Sequence, residues 1–129
     1  MGKKIILVVE DEKSLIDAIS TKLEKNEFTV LKARTYEEEM FELRKNNNIG
    51  VIWLDHYLMG KKDGLDIITE CKKDKSIYSG IPIFVVSNTA SSDKIEKYLE
   101  LGAVKYYVKA EKRLEDIIKE INKYFDSSI

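Results

Sequence analysis

Carboxylates follow two of the apolar runs of this chain, at the point where each run ends. The run V-I-W-L, residues 51–54, leads directly into Asp55, and the run Ile5–Val9 is followed by Glu10 and Asp11. If both runs are strands of one sheet, these carboxylates lie close together and repel one another, which raises their pKa values unless a cation compensates. An oxygen-rich, sulfur-free group of this kind suits Mg²⁺, which accepts one or two carboxylates together with phosphate oxygens.

Two further strand ends supply groups that could hold a phosphate. A carboxylate beside Mg²⁺ can attack a phosphoryl group and form an aspartyl phosphate. Lys109 follows the run 104–108 and offers an ammonium, and Ser87 follows the run 81–86 and offers a hydroxyl. Both are donors of the kind that bind phosphate oxygens. The set therefore predicts a phosphoryl-accepting site built at four strand ends.

Each of these residues also has an ordinary role when it is considered alone. Glu10 or Asp11 could cap the next helix, and Asp55 could be a turn residue. Lys109 could be a solvated lysine and Ser87 a simple strand-end hydroxyl. The combination is more specific than its members, because four strand ends must agree in chemistry as well as in position.

The elements that must position these groups alternate along the chain. Five short runs, most of them rich in β-branched or aromatic residues, are nearly continuous in apolar character, which is typical of parallel strands covered on both faces. Helical stripes separate them, and strand–helix order repeated five times predicts a doubly wound α/β sheet with right-handed crossovers. Ligands of such sheets bind outside the carboxyl ends of the strands. The predicted strands are Ile5–Val9, Phe28–Ala33, Val51–Leu54, Ile81–Val86 and Val104–Val108.

The predicted helices carry start and stop signals as well as apolar stripes. Thr35 precedes Glu38 in the pattern of a capping box, Ser91 and Ser92 precede the fourth helix, and Gly102 ends it. The single proline, Pro82, is expected to open the fourth strand, where a missing N–H costs little. The stripes are Leu15, Ile16, Ile19 and Leu23; Tyr36, Met40 and Leu43; Leu65, Ile68 and Cys71; Ile95, Tyr98 and Leu99; and Leu114, Ile117, Ile118, Ile121 and Phe125.

Length and composition set the class of protein. The chain has 129 residues, a net charge of −1 and one cysteine, Cys71. The length suits one domain over residues 1–129, and the charge gives no bulk field toward nucleic acid or an anionic membrane. No apolar run approaches the roughly 20 residues of a membrane span. A lone cysteine forms no intramolecular disulfide or cysteine metal cluster, which fits a cytoplasmic location.

Four segments give the chain a resemblance to the receiver domains of bacterial and archaeal two-component response regulators. They are V-V-E-D-E at 8–12, V-I-W-L-D-H-Y-L at 51–58 with D-G at 63–64, P-I-F-V-V-S at 82–87 and G-A-V-K-Y-Y-V-K at 102–109. The resemblance covers nearly the whole chain. It implies a flavodoxin-like (βα)5 three-layer sandwich, with a parallel five-stranded sheet of order 2-1-3-4-5.

The resemblance implies a reaction for the acidic group. Asp55 would accept a phosphoryl group from the phosphohistidine of a histidine kinase or phosphotransfer protein, in a Mg²⁺-dependent step. Asp11 would bind the metal directly, Glu10 would act mainly through metal-bound water, and Tyr57 would offer its backbone carbonyl. Lys109 would pair with the phosphate. Apart from self-phosphorylation and autodephosphorylation at Asp55, no enzyme activity is implied.

The resemblance also implies a switch and a docking face. Ser87 would turn toward the phosphate, and Tyr106 would move inward on activation. We prefer Ser87 to Thr89 because the five-residue step from Pro82 matches the family. A downstream protein partner would dock along the fourth helix, fifth strand and fifth helix, and homodimers through that face are also allowed. The face would include Lys94, Lys97, Tyr98, Tyr106 and Lys112, although these lysines alone could be an ordinary solvated surface.

Two positions depart from the family pattern. Met59 stands where the family usually has proline, in a loop one residue longer before Asp63-Gly64, and Ala110 follows Lys109 where proline is also usual. A cis bond before alanine would cost about 2.5–4 kcal/mol, far more than before proline. We expect these changes to alter how the loop and Lys109 are held, while every reacting group remains.

Other classes of protein fit the residues less well. A haloacid-dehalogenase-type phosphatase needs a second aspartate two residues after Asp55, where Tyr57 stands, and a flavin-binding module would not place Glu10-Asp11-Glu12 where a phosphate loop is required. His56 could be considered as a phosphohistidine. It is the only histidine, however, and it lies on a predicted loop, without the dimerisation helix or ATP-binding domain that accompanies such a residue. The alternative retained is a receiver-like binding module that takes no phosphate. The chain could be a stand-alone receiver or a piece of a longer protein.

Overall fold

Strands and helices alternate along residues 4–127, which are the residues that this computed structural model describes. The strands are β1 (Lys4–Val9), β2 (Phe28–Ala33), β3 (Val51–Leu54), β4 (Ile83–Ser87) and β5 (Lys105–Val108). The helices are α1 (Lys13–Lys25), α2 (Tyr36–Lys45), α3 (Gly64–Cys71), α4 (Ser92–Glu100) and α5 (Leu114–Ser127). Within these residues no helix is both long enough and apolar enough to cross a bilayer.

The five strands form one parallel sheet in the order β2-β1-β3-β4-β5. β1 lies between β2 and β3, with Val9 level with Ala33 on one side and Leu54 on the other. β4 pairs with β3 and with β5, and Ser87 is level with Val108. The doubly wound fold and the order 2-1-3-4-5 are confirmed. This order brings the carboxyl ends of β1, β3, β4 and β5 to one edge of the sheet.

Helices cover the sheet on both faces, so β3 and β4 are buried along their whole length and β1 is buried from Ile6 to Val9. Residues of β3 divide between the two cores: Ile52 and Leu54 pack with α2, α3 and α4, whereas Val51 and Trp53 pack with α1 and α5. Trp53 is fully buried. Because successive strand residues point to opposite faces, burial on both faces explains why the strand sequences are continuous apolar runs rather than alternating ones.

The helix starts follow the predicted signals with one difference. The hydroxyl of Thr35 accepts a hydrogen bond from the Glu38 N–H at 3.0 Å, and Ser91 caps α4 in the same way. The Glu38 carboxylate, however, accepts from the N–H of Arg34 at 2.8 Å, one residue before the cap. The complete capping box is at α3, where Asp63 and Asp66 satisfy each other's backbone N–H groups.

The prediction that Pro82 opens the fourth strand was wrong, because β4 begins at Ile83. Proline has no N–H to donate to the ladder, and Pro82 contributes only its carbonyl, which accepts from the Ile52 N–H at 2.9 Å. The end of β4 also lies one residue later than predicted, so that Ser87 is the last residue of the strand. Ser87 is therefore held by strand pairing.

Candidate functional site

Three carboxylates converge at the carboxyl edge of the sheet. Glu10 and Asp11 directly follow β1, Asp55 directly follows β3, and the Asp55 N–H donates to the Val9 carbonyl at 2.9 Å. One oxygen from each of the three side chains lies within 4.8 Å of the others. Glu10 is 1% exposed and Asp55 is 4% exposed, so this negative charge is largely removed from water. The structure thus brings together the acids that the two strand ends predicted.

Lys109 supplies the positive charge that this acidic group needs. Its ammonium nitrogen lies 2.8 Å from Glu10 Oε1 and 3.2 Å from Asp55 Oδ2. Burial acts to lower the pKa of Lys109, but the hydrogen bonds and charges of Glu10 and Asp55 outweigh it and the pKa is raised. The side chain is 17% exposed, so Lys109 is not an ordinary solvated lysine. A charged lysine makes the burial of two carboxylates tolerable.

The backbone also fixes Lys109, although alanine and not proline follows it at position 110. The Lys109 N–H donates to the Ser87 carbonyl at 2.8 Å, which continues the pairing of β4 and β5. No peptide bond among residues 4–127 is cis, so the bond to Ala110 is trans. The ladder and the two ion pairs hold the lysine in the site, and the loss of proline at 110 does not displace it.

Asp55 is held at both carboxylate oxygens. Its Oδ1 accepts a hydrogen bond from the His56 N–H at 2.7 Å, and its Oδ2 faces the Lys109 ammonium. Glu10 is similarly occupied, because its Oε2 accepts from the Glu12 N–H at 3.1 Å. The residue at the N-cap of α1 is Glu12, whose side chain makes no capping bond. Neither Glu10 nor Asp11 therefore has the ordinary capping role that each could have had alone.

Asp11 is the most accessible member of the acidic group. It is half-buried, and burial, followed by a hydrogen bond and charge repulsion from Glu10, raises its pKa. Its carbonyl accepts from the Arg34 side chain at 2.8 Å, which fixes the turn after β1. Clustered carboxylate oxygens without sulfur or imidazole are the donor set that a hard cation such as Mg²⁺ prefers. The residues present therefore fit a magnesium ion.

Ser87 and Tyr106 lie beside each other next to this site. Ser87 is fully buried, and its hydroxyl accepts from the Thr89 N–H at 3.4 Å. Tyr106 is half-buried, and its hydroxyl donates to the Thr89 carbonyl at 2.8 Å. Burial raises the pKa of Tyr106, against the effect of a hydrogen bond with Ser87. The ring is thus already turned toward the protein, and its inward movement on activation stays a prediction.

The loop after Asp55 is braced where the family usually has proline. Met59 forms a bridge with Thr35, and its N–H donates to the Arg34 carbonyl at 3.3 Å. A proline at 59 has no N–H and would lose this bond. Gly60 follows with φ of +93°, a left-handed conformation that glycine adopts without strain. The longer loop is therefore tied to the turn between β2 and α2.

Tyr57 presents its ring to solvent. The side chain is 54% exposed and packs edge-on against the His56 ring, with centroids 4.7 Å apart. The Lys94 ammonium lies 5.8 Å from the centre of the Tyr57 ring. The role of the Tyr57 backbone carbonyl toward a metal stays a prediction.

Sequence reasoning missed a buried pair beside Asp55. His56 is 3% exposed, and its Nδ1 lies 2.6 Å from the hydroxyl of Tyr98, which is fully buried. Burial lowers the pKa of His56; nearby Asp63 opposes this and Lys94 adds to it. Placing Tyr98 on the docking surface was therefore wrong. Its position in the predicted apolar stripe of α4 was the correct signal for this residue.

The rest of the expected docking face is mixed in character. Lys97 is exposed and Lys94 half-buried, whereas the ammonium of Lys112 pairs with Glu120 and lies 5.5 Å from the centre of the Tyr107 ring. Leu99, expected in the buried stripe, is 46% exposed. Tyr98 is the buried residue of α4, and Leu99 is left on the surface.

Comparison with known proteins gives one family. The model of the response regulator receiver domain matches residues 6–122. The transcriptional regulatory protein YvrH of Bacillus subtilis is 32% identical over 116 residues, which cover 89% of this chain and 46% of YvrH. The probable transcriptional regulator ycf27 of Cyanophora paradoxa is 35% identical over 127 residues, or 94% of this chain and 49% of ycf27. The chain spans about half the length of the curated relatives it matches.

Solved structures with the same fold cover nearly the whole chain. The phosphorylated cyanobacterial phytochrome response regulator RcpA has a TM-score of 0.83 at 29% identity, with 99% of this chain and 97% of RcpA covered. The Mn²⁺-bound form of response regulator Rcp1 has a TM-score of 0.76 at 26% identity, with 92% and 88% covered. The receiver domain of Francisella response regulator 1452 has a TM-score of 0.85 at 24% identity, with 98% of this chain and 99% of that chain covered. At this identity the match supports the fold only.

Proposed function

The chain belongs to the response regulator receiver domain family, and from this membership we propose that residues 1–129 form one receiver domain whose phosphoacceptor is Asp55. The observation that carries the proposal is the placement of the Asp55 carboxylate between the Lys109 ammonium, 3.2 Å away, and the acidic pair Glu10 and Asp11. A nucleophile, a phosphate-pairing cation and a set of metal ligands are then within reach of one phosphoryl group. The family model spans all of these residues.

The proposed reaction transfers a phosphoryl group from a phosphohistidine to Asp55. One Asp55 oxygen forms a bond to phosphorus as the phosphorus–nitrogen bond of the donor histidine breaks, and the imidazole leaves. Asp11, Asp55, the Tyr57 carbonyl and, through water, Glu10 would hold Mg²⁺, which would supply positive charge against the phosphoryl oxygens. The donor is a histidine kinase or a phosphotransfer protein.

The residues of the chain prepare Asp55 for this transfer. The His56 N–H, 2.7 Å from Oδ1, and the Lys109 ammonium fix the carboxylate in one orientation before the donor arrives. Orientation of this kind accounts for much of the catalysis of phosphoryl transfer. After transfer, Lys109 pairs with a phosphoryl oxygen, and the Ser87 hydroxyl, adjacent on β4, donates to another.

We propose that the signal is transmitted by a shift in population between two conformations of the protein. Phosphorylation draws Ser87 and Lys109 toward the new charge, and Tyr106, which contacts Ser87, follows. The surface formed by α4, β5 and α5 then has a higher affinity for a downstream protein or for a second copy of the chain. A partner with equal affinity for both states would carry no signal. We propose a protein partner rather than direct binding to nucleic acid or membrane, and a cytoplasmic location in which the buried thiol of Cys71 stays reduced.

The test is phosphorylation by a small donor. Purified protein with Mg²⁺ and acetyl phosphate should gain one phosphoryl group by intact mass, and Asp55→Asn should gain none. Asp74→Asn, which changes an exposed aspartate after α3, should behave as the parent. Trp53 lies on β3, two residues before Asp55. Its fluorescence should change when Mg²⁺ is added, and change again when beryllofluoride, a mimic of the phosphoryl group, binds at Asp55. A phosphoryl group that persists in Asp55→Asn, or a parent that takes none, would refute the proposal.

A separate assay tests whether the protein hydrolyses phosphate monoesters as an enzyme. Apart from its own phosphorylation and dephosphorylation, the protein should turn over no substrate, because Tyr57 occupies the position where a phosphatase of this chemistry has its general acid. Sustained hydrolysis of phosphate monoesters with Mg²⁺ would contradict this part of the proposal.

A further inference from the structure

Tyr98 connects α4 to the loop that carries the phosphoacceptor. Its hydroxyl lies 2.6 Å from Nδ1 of His56, the residue after Asp55. Its ring lies edge-on to the His56 ring, with centroids 5.7 Å apart, and packs at the same distance against the ring of Tyr106. One fully buried side chain therefore contacts both the neighbour of Asp55 and the aromatic of the proposed switch.

The surroundings of His56 fix the direction of this hydrogen bond. His56 Nε2 lies 3.7 Å from the Asp63 carboxylate, which favours a proton on that nitrogen. A neutral imidazole then has its lone pair on Nδ1, so the Tyr98 hydroxyl donates and His56 accepts. Asp63 in turn caps α3 through the N–H groups of Leu65 and Asp66. The ring of His56 is thus held from two sides, by α4 and by the start of α3.

Gly64 shows that the position of the Tyr98 hydroxyl is built into the loop. A Cβ at Gly64 would collide with that hydroxyl and would stand 2.7 Å from the Asp55 carbonyl oxygen. The Gly64 N–H also donates to the His56 carbonyl at 2.8 Å. The first residue of α3 therefore lacks a side chain at the place where Tyr98 reaches His56, and the backbone closes around the contact.

His56 passes this restraint to Asp55 through its backbone. Its N–H donates to Asp55 Oδ1 at 2.7 Å, so a shift of the His56 backbone would turn the carboxylate relative to Lys109. The hydrogen bond from Tyr98 restrains the ring of the same residue. Tyr98, His56 and Asp55 therefore form a continuous chain of hydrogen bonds and covalent bonds from α4 to the phosphoacceptor.

We propose that Tyr98 is a positioning residue for the phosphoacceptor, which acts through its hydrogen bond to His56 and couples Asp55 to α4 and Tyr106. This inference rests on the proposed function of Asp55. Coupling of this kind is reciprocal: occupancy of the Asp55 site changes the stability of α4, and loosening Tyr98 weakens binding at Asp55.

Tyr98→Phe tests the hydroxyl alone. Beryllofluoride with Mg²⁺ serves as the probe, and Trp53 fluorescence measures its affinity. We expect Tyr98→Phe to weaken beryllofluoride binding about three- to tenfold, the loss typical of one buried hydrogen bond. Amide hydrogen exchange should show, in addition, that the response of residues 92–100 to beryllofluoride is diminished. Tyr107→Phe is the matched control, because Tyr107 is also a buried residue and its hydroxyl donates to Glu120 of α5 at 2.7 Å rather than to a residue of the Asp55 site; its affinity should equal that of the parent.

A double-mutant cycle separates the hydrogen bond from general loosening. His56→Phe removes Nδ1 but keeps an aromatic ring and the backbone N–H. If the two residues act through their mutual bond, Tyr98→Phe combined with His56→Phe binds beryllofluoride no more weakly than His56→Phe alone. Thermal unfolding of Tyr98→Phe and Tyr107→Phe provides the comparison for stability.

The outcomes distinguish this inference from the proposed function. A parent that shows no beryllofluoride response would overturn both. A parent that responds, together with a Tyr98→Phe variant of equal affinity and an unchanged response in residues 92–100, would overturn only the positioning role. Additive losses in the double mutant would also overturn it, because the two side chains would then act independently.

Discussion

Two glutamates are buried in this protein to nearly the same extent but in opposite electrostatic surroundings. Glu10 at the carboxyl edge of the sheet is 1% exposed, and Glu39 in α2 is 0% exposed. Glu10 has the Lys109 ammonium at 2.8 Å and a backbone N–H at 3.1 Å. Glu39 has only the thiol of Cys71, 3.6 Å from Oε2, and its Oε1 has no hydrogen-bond partner within the described part of the chain.

The difference appears in the protonation of Glu39. Burial raises its pKa to about 8, which the Cys71 hydrogen bond and Arg44 only partly oppose. A carboxyl group that loses water without gaining a cation takes a proton instead. Burial alone therefore does not make a functional acid. At the carboxyl edge the Lys109 ammonium pairs with Glu10 and Asp55, whereas burial between α2 and α3 raises the pKa of Glu39 to about 8.

Lys109→Met should have the largest effect, because it removes the cation from the first of these regions. Glu10 and Asp55 would remain buried without compensation, and breaking a buried pair in this way costs about 4 kcal/mol of unfolding free energy. We expect this loss at neutral pH without Mg²⁺, and urea denaturation measures it. Acetyl phosphate should also label the variant poorly.

Lys105→Met is the matched control for that substitution. Lys105 pairs with Glu120 at 3.2 Å, but its side chain is 59% exposed. An exposed pair of this kind contributes about 0.5 kcal/mol. If the two lysine variants lost the same stability, Glu10 and Asp55 would not depend on Lys109, and the contrast with Glu39 would disappear.

Glu39→Gln addresses the second region through pH. The ordinary pKa of Glu39 is 4.5 and its folded value is about 8, so the folded state binds the proton more tightly. Its contribution to stability is complete below pH 4.5 and is lost as the pH rises through about 8. The parent should lose several kcal/mol over this window on account of Glu39. Glu39→Gln should lack that decline and exceed the parent in stability at pH 9.

Glu37→Gln is the control from the same helix, because Glu37 is exposed. Its effect on the free energy of unfolding should be small at every pH, and chemical denaturation from pH 4 to pH 9 compares all three proteins. A Glu39→Gln variant whose stability followed the parent at each pH would mean that Glu39 is charged in the folded state.

Residue patterns alone were sufficient to predict the fold class and the convergence of the strand ends at the carboxyl edge. Continuous β-branched runs identify strands covered on both faces, and parallel pairing brings their ends to one edge whatever the details of the loops. Asp55 and Lys109 were therefore predictable as neighbours although 54 positions separate them. The strand order itself depended on the family resemblance.

What the sequence did not predict depends on side-chain contacts between helices and loops. Glu39 looks like one of several surface acids of α2 until its packing against Cys71 of α3 is known. His56 looks like a loop residue, and Tyr98 fits both a buried stripe and a docking face. The boundary of β4 shifted because the ladder had to begin after Pro82. Each of these outcomes depends on which faces of the helices and loops pack against each other, and residue type alone does not determine this packing.

Magnesium should stabilise one region and not the other. A ligand present at ten times its dissociation constant adds about 1.4 kcal/mol to the free energy of unfolding. We expect this gain for the parent and for Glu39→Gln, and its loss in Asp11→Asn, because Asp11 is the proposed direct ligand. Thermal unfolding across a Mg²⁺ titration measures it, with Ca²⁺ as a second cation. An equal gain in Asp11→Asn would place the ion elsewhere in the chain.

Met59→Pro should have the smallest effect, and it separates charge from loop geometry at the carboxyl edge. The substitution removes the N–H that donates to the Arg34 carbonyl at 3.3 Å, while Glu10, Asp55 and Lys109 keep their contacts. The loss of one long hydrogen bond at an exposed position costs about 0.5 kcal/mol. Met59→Ala keeps the N–H and serves as the control. If compensation by Lys109 is what distinguishes Glu10 from Glu39, the stability of Met59→Pro should fall slightly but keep the pH dependence of the parent. A changed pH profile in Met59→Pro, but not in Met59→Ala, would instead make the loop, together with Lys109, part of what distinguishes the surroundings of Glu10 from those of Glu39.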